Sequence, residues 1–206
     1  LLVRWAHLIA GIAWIGSSFY FIWLDSALES PASPKKGVEG ELWMVHSGGF
    51  YQVEKRLIGP GEMPKTLHWF KWEAAVTWLS GMSMLVLLYY AGGMLVDATY
   101  SETPSILIGL GLILMAWLVY DTLWNSRLAA HQNLAVVLSF LLSVGAILAL
   151  TRFFGGRTAY IHAGAMFGTI MTANVWLRVL PAQRTMGSSL QRGEKPDLTL
   201  AARAKM

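Results

Sequence analysis

The chain has 206 residues, 55% of them hydrophobic, with 16 Lys+Arg against 12 Asp+Glu, and its mean hydropathy is +0.47. These values exclude a disordered chain and do not suit an ordinary soluble domain. No cysteine is present, so the chain carries no disulfide, thiolate metal site, iron–sulfur cluster or covalently attached c-type haem of its own.

The charges are segregated. Trp5–Leu24, Ala74–Val96, Thr103–Tyr120, Leu128–Thr151 and Thr158–Leu177, runs of 20, 23, 18, 24 and 20 residues, contain no Asp, Glu, Lys or Arg. A bilayer core needs roughly 20 apolar residues per helix and leaves backbone amides no partner outside their own helix or a closed barrel. The runs are too long and too continuous for barrel strands. They predict an all-α, polytopic integral membrane helix bundle with five transmembrane helices over residues 1–180 and a cytoplasmic loop at 25–71. Residues 181–206 read as a basic cytoplasmic tail or a linker to further helices. With the N-terminus outside, 13 of the 16 basic residues fall on the cytoplasmic side, and Arg4, Arg152 and Arg157 fall outside. The positive-inside rule therefore orients the chain with its C-terminus in the cytoplasm.

In the long first loop, Ser30-Pro31-Ala32-Ser33-Pro34 ends the first helix. Residues 39–56 then mix aromatics and charges around Gly48 and Gly49, with His46, Phe50 and Tyr51 beside them. Two readings stand for this stretch. It is a strand pair, or it is an interfacial segment anchored by Trp43, Phe50 and Tyr51.

Five histidines are the candidates for chemistry. His7 lies near the start of the first helix and His162 near the start of the fifth. Both helices run inward, which puts the two imidazoles at matched depth in the outer leaflet. Imidazoles from two helices are a normal way to hold haem iron in a bundle, so His7 and His162 are the candidate axial ligands of a b-type haem, with Arg4 and Arg157 for its propionates. His68 and His131, on the cytoplasmic side with His46, form a rival ligand pair. Each histidine also has the simpler reading of a residue bonding a loop carbonyl at the interface.

Glu73, Asp121, Asn125 and His131 lie near the cytoplasmic helix ends and form a candidate substrate or proton-handling cluster. The competing reading is a set of snorkelling helix-end side chains, with Glu73 pairing to Lys71 or Arg127 and Asp121 to Arg127.

Several segments carry a resemblance. Arg4-Trp5-x-His7-x-x-Ala10-Gly11-Ile12-Ala13-Trp14-Ile15-Gly16, Gly40-Glu41-Leu42-Trp43-x-Val45-His46-x-Gly48-Gly49-Phe50-Tyr51, Leu67-His68-Trp69-Phe70-Lys71-Trp72-Glu73 and Met171-Thr172-Ala173-Asn174-Val175 resemble the membrane domain of the bacterial cytochrome-linked urate oxidase family. The resemblance implies about eight membrane helices, of which this chain would hold the first five, and a c-type cytochrome domain or protein on the outer face. It also implies oxidation of urate to 5-hydroxyisourate, with electrons passed to that cytochrome in purine catabolism. Ser47 stands where the family's His-Gly-Gly-Gly-Phe-Tyr motif has its first Gly. The His7, Trp14, Gly16 spacing is also similar to helical proteins of the copper-resistance D type, which keeps open a non-enzymatic membrane module, either a permease or a cytochrome assembly partner.

Overall fold

The structure, a computed structural model, describes residues 1–33, 35–95 and 98–195. Val96, the expected end of the second run, and the basic residues Arg203 and Lys205 lie outside the described residues. Along the chain come α1 (Leu2–Ala27), β1 (Val38–His46), β2 (Gly49–Arg56), α2 (Trp72–Met84), α3 (Glu102–Trp124), α4 (Gln132–Phe153), α5 (Gly156–Asn174) and α6 (Leu180–Gln191). A π-helical stretch, Leu85–Tyr90, extends α2, and another, Val175–Val179, lies between α5 and α6. The second apolar run thus stops being helical at Tyr90, six residues short of its sequence limit. Gly92 and Gly93 follow, and Gly93 takes φ of 69°, a left-handed conformation that ends a helix without a Cβ penalty.

Among the described residues, four helical stretches are long and apolar enough to cross a membrane: Leu2–Ala27, Trp72–Tyr90, Glu102–Trp124 and Gln132–Phe153. Only 11–17% of each apolar window is buried, and Leu107, Leu114, Phe140, Leu141 and Leu148 are exposed. Faces this apolar are consistent with a hydrocarbon solvent. α5 does not meet the same measure, because it carries Thr158, His162, Thr169, Thr172 and Asn174. Its polar residues are accommodated by position. α5 packs against α2, α3 and α4, and Thr158, His162 and Thr172 are buried there.

Two compact units divide the chain. The first holds residues 1–11 and 71–177, and its core gathers Leu85, Tyr89, Tyr90, Ile113, Leu150, Phe154, Ala159 and Met166. Its α2–α5 contact is fixed at one level by Trp78, whose indole N–H donates to Thr169 Oγ1 at 2.9 Å. Trp72 and Trp176 meet edge to face at 5.8 Å at another.

The second unit holds residues 12–70 and the described residues from Arg178 onward. Here the loop resolves into the strand pair: β1 and β2 are antiparallel, with Trp43 opposite Gln52 and His46 opposite Gly49. Ser47 and Gly48 form the two-residue turn with φ of 50° and 79°, both left-handed as a primed hairpin turn demands. Trp43, Phe50 and Tyr51 remain exposed. Lys35 ties the strands together by binding Glu41 at 3.2 Å and Glu54 at 2.6 Å. The Glu41 carboxylate also accepts the Ala32 backbone N–H at 3.1 Å.

Candidate functional site

His7 faces α2. Its Nδ1 lies 2.9 Å from the Thr77 carbonyl oxygen and 3.2 Å from Ser80 Oγ. A carbonyl only accepts, so Nδ1 carries the proton and Nε2 is the basic nitrogen. The ring packs on Gly81, where an added Cβ would fall 2.9 Å from His7 Cε1. Gly81 is the midpoint of the Trp72–Tyr90 apolar stretch, which sets His7 level with the middle of that span. A backbone carbonyl accepting from the far nitrogen is the contact that orients metal-ligating imidazoles.

His162 is different. It is fully buried, its Nδ1 donates to the Thr158 carbonyl at 2.8 Å, and its Nε2 accepts the Tyr90 hydroxyl at 2.9 Å. Phe154 stacks on the ring at 4.6 Å and 14°. Gly109 of α3 lies against its edge, where a Cβ would sit 2.6 Å from Nε2. Every hydrogen-bonding position of this imidazole is occupied.

Matched depth therefore fails. His7 sits at the level of Thr77–Gly81, and His162 at the level of Tyr90 on the same helix path. At about 1.5 Å of rise per residue those levels are roughly 13 Å apart, whereas two imidazoles sharing one metal need their nitrogens about 4 Å apart, at ~2 Å per bond. His7 and His162 do not fit as joint ligands of one iron. His7 keeps the carbonyl partner on Nδ1 that orients metal-ligating imidazoles, and among the described residues no group of three or more His, Cys, Asp or Glu is placed to hold a metal ion.

The other candidates are dispersed. Arg4 and Arg157 are exposed. Asn125 donates to both the carbonyl and the Oδ1 of Asp121, at 2.7 and 3.1 Å, closing a local turn at the end of α3. His131 is exposed at the start of α4, and Glu73 belongs to the first turn of α2, which contacts α5. In the second unit, His68 is exposed and meets Phe70 edge to face at 4.7 Å. His46, Gly48, Gly49, Phe50 and Tyr51 make up the hairpin tip. A cavity of about 200 Å³ between α3, α4 and α5 is lined mainly by apolar side chains such as Leu112, Leu142, Met166 and Ile170, with Tyr120, Ser139 and Ser143 among them.

Sequence reasoning missed Tyr90, Gly81 and Gly109. The two glycines are visible as breaks in apolar runs, but only tertiary packing shows which ring each one admits.

The family model described as urate oxidase N-terminal matches residues 1–206. No curated protein and no solved structure matches the chain. Because the family match spans every residue, and the chain is helical with several membrane-length apolar helices, the chain belongs to the urate oxidase N-terminal family.

Proposed function

We propose that the protein is the membrane part of an oxidoreductase that converts urate to 5-hydroxyisourate and passes the electrons to a c-type cytochrome. The observation that carries this reading is the family match across residues 1–206. The apolar helices with unburied faces support a multi-pass place in the bacterial inner membrane. In this reading α5 is a fifth spanning helix, sheltered by α2, α3 and α4, and the N-terminus is outside. The distribution of Lys and Arg supports that orientation.

The reaction adds the oxygen of water and releases two electrons and two protons per urate, so a carrier must accept single electrons from a two-electron oxidation. A b-type haem supplies that chemistry when bound. His7 is the residue suited to hold it: Thr77 and Ser80 fix the ring through Nδ1 and leave Nε2 as the nitrogen that would bind iron, at a membrane level where an ionisable side chain is costly without a use. The c-type cytochrome acts at the outer face.

The test is a set of difference spectra on the full-length protein in lipid nanodiscs. Urate added without oxygen should reduce a haem chromophore, and His7→Ala should remove or shift that spectrum while His68→Ala leaves it intact. A spectrum unaffected by His7→Ala removes the ligand assignment, and a protein colourless in its native membrane removes the haem.

A further inference from the structure

At the junction where α2 begins and α5 ends, three buried polar atoms have no hydrogen-bond partner: Glu73 Oε2, Thr172 Oγ1 and Trp176 Nε1. Buried polar groups in folded proteins are nearly always bonded, so each exception calls for a cause. The other buried side-chain polar atoms of the described residues obey the rule. Thr77 back-bonds to the Glu73 carbonyl at 2.7 Å, the habit of a helical threonine, and Thr172, only 8% exposed, does not. Trp78 and Trp124 donate their indole N–H groups to Thr169 and Ser139 at 2.9 and 3.1 Å, and Trp176 does not.

The three residues belong to one junction of the α2 and α5 paths. Thr172 and Trp176 are one helical turn apart, on a stripe that runs from α5, where Thr169 binds Trp78, into the π-helical stretch, where Trp176 meets Trp72. Glu73 follows Trp72 in the chain. Lys71 Nζ lies 5.1 Å from the Trp72 ring and 6.0 Å from the Trp176 ring, which brings a cation to the same two indoles. The junction offers two donors, one carboxylate acceptor, aromatic walls and a positive charge. Complementary to that set is a flat, anionic heterocycle that alternates C=O and N–H groups.

We propose that Lys71, Trp72, Glu73, Thr172 and Trp176 form a binding site for a planar anionic ureide ring, which, resting on the function proposed above, is the urate site. Trp176 N–H and Thr172 O–H donate to ring carbonyl oxygens, Glu73 accepts a ring N–H, and Lys71 balances the anion.

The experiment uses the full-length protein in nanodiscs and radiolabelled urate, with binding measured by equilibrium dialysis. Trp176→Phe, which keeps an aromatic ring, and Thr172→Val, which keeps the shape, should each weaken binding about tenfold, the loss of one hydrogen bond to a charged ligand. Glu73→Gln should raise KM more than it lowers kcat. Independently of any variant, saturating urate should protect Lys71 but not Lys55 from acetylation in the wild-type protein. Wild-type protein that binds urate with unchanged affinity in all three variants and with Lys71 unprotected overturns the site and leaves the functional reading standing. Wild-type protein that neither binds nor oxidises urate overturns the functional reading and the site with it.

Discussion

Tyr90 donates its hydroxyl hydrogen to His162 Nε2 at 2.9 Å, joining the π-helical end of α2 to the most polar helix of the first unit. With Nδ1 committed to Thr158, this bond makes His162 a satisfied core residue that organises three helices. Tyr90→Phe leaves a buried acceptor unpaired, and the expected cost is about 1–2 kcal/mol. Thermal unfolding in a fixed detergent measures it, and an unchanged midpoint would show that the bond contributes nothing.

Gly109 allows that arrangement. A Cβ there would lie 2.6 Å from His162 Nε2 and 3.0 Å from the Tyr90 hydroxyl, and neither group can retreat within a packed core. Gly109→Ala should destabilise by about 1–3 kcal/mol. Gly111→Ala, two residues on in the same helix with nothing within 4 Å, should be neutral or slightly stabilising because alanine is the better helix former. Equal effects at the two positions would contradict the packing.

Ser47 occupies the first position of the hairpin turn with φ of 50°, a conformation that costs a residue bearing Cβ roughly 1–2 kcal/mol. Glycine, which has no Cβ, suits this backbone better. Ser47→Gly should therefore slow proteolysis of the hairpin and raise amide protection across Trp43–Gln52. Faster cleavage would mean that the turn is not left-handed.

The hairpin also has an acid limit. The Ala32 backbone N–H first, and then the Lys35 ammonium, hold the Glu41 carboxyl below the usual carboxylate value of 4.5. A group whose folded pKa is depressed stabilises fully above its unfolded pKa, and that contribution is lost as pH falls through the folded value. Hairpin amide protection should accordingly decline on acidification below about pH 4.5. In Glu41→Gln the decline should flatten, and an unaltered acid profile would sink the assignment.

Much of the fold is legible in the residues themselves. Asp25, Glu73, Glu102, Arg127 and Arg152 bracket the apolar runs, and the bilayer's intolerance of charge turns those brackets into helix ends. The alternation of residues 39–56 around Gly48 already admits a hairpin. Relative depth is not legible, because chain position assumes that all helices start in one plane. The α1–α2 register is instead set by His7 lying on Thr77, Ser80 and Gly81, ahead of Tyr90 by more than two turns, and that separates His7 from His162. Nor is the role of α5 legible, since its polarity makes sense only once α2, α3 and α4 surround it. The cluster expected from Glu73, Asp121, Asn125 and His131 likewise splits: Asp121 and Asn125 bond to each other, while Glu73 joins the α2–α5 junction.

The most direct test of the central claim is the stoichiometry of urate oxidation by the full-length protein in nanodiscs, under argon, with ferric cytochrome c as acceptor. The account predicts two cytochromes reduced for each urate consumed, formation of 5-hydroxyisourate and no hydrogen peroxide. No loss of urate under these conditions, or urate loss only with oxygen and an equivalent of peroxide, would contradict it.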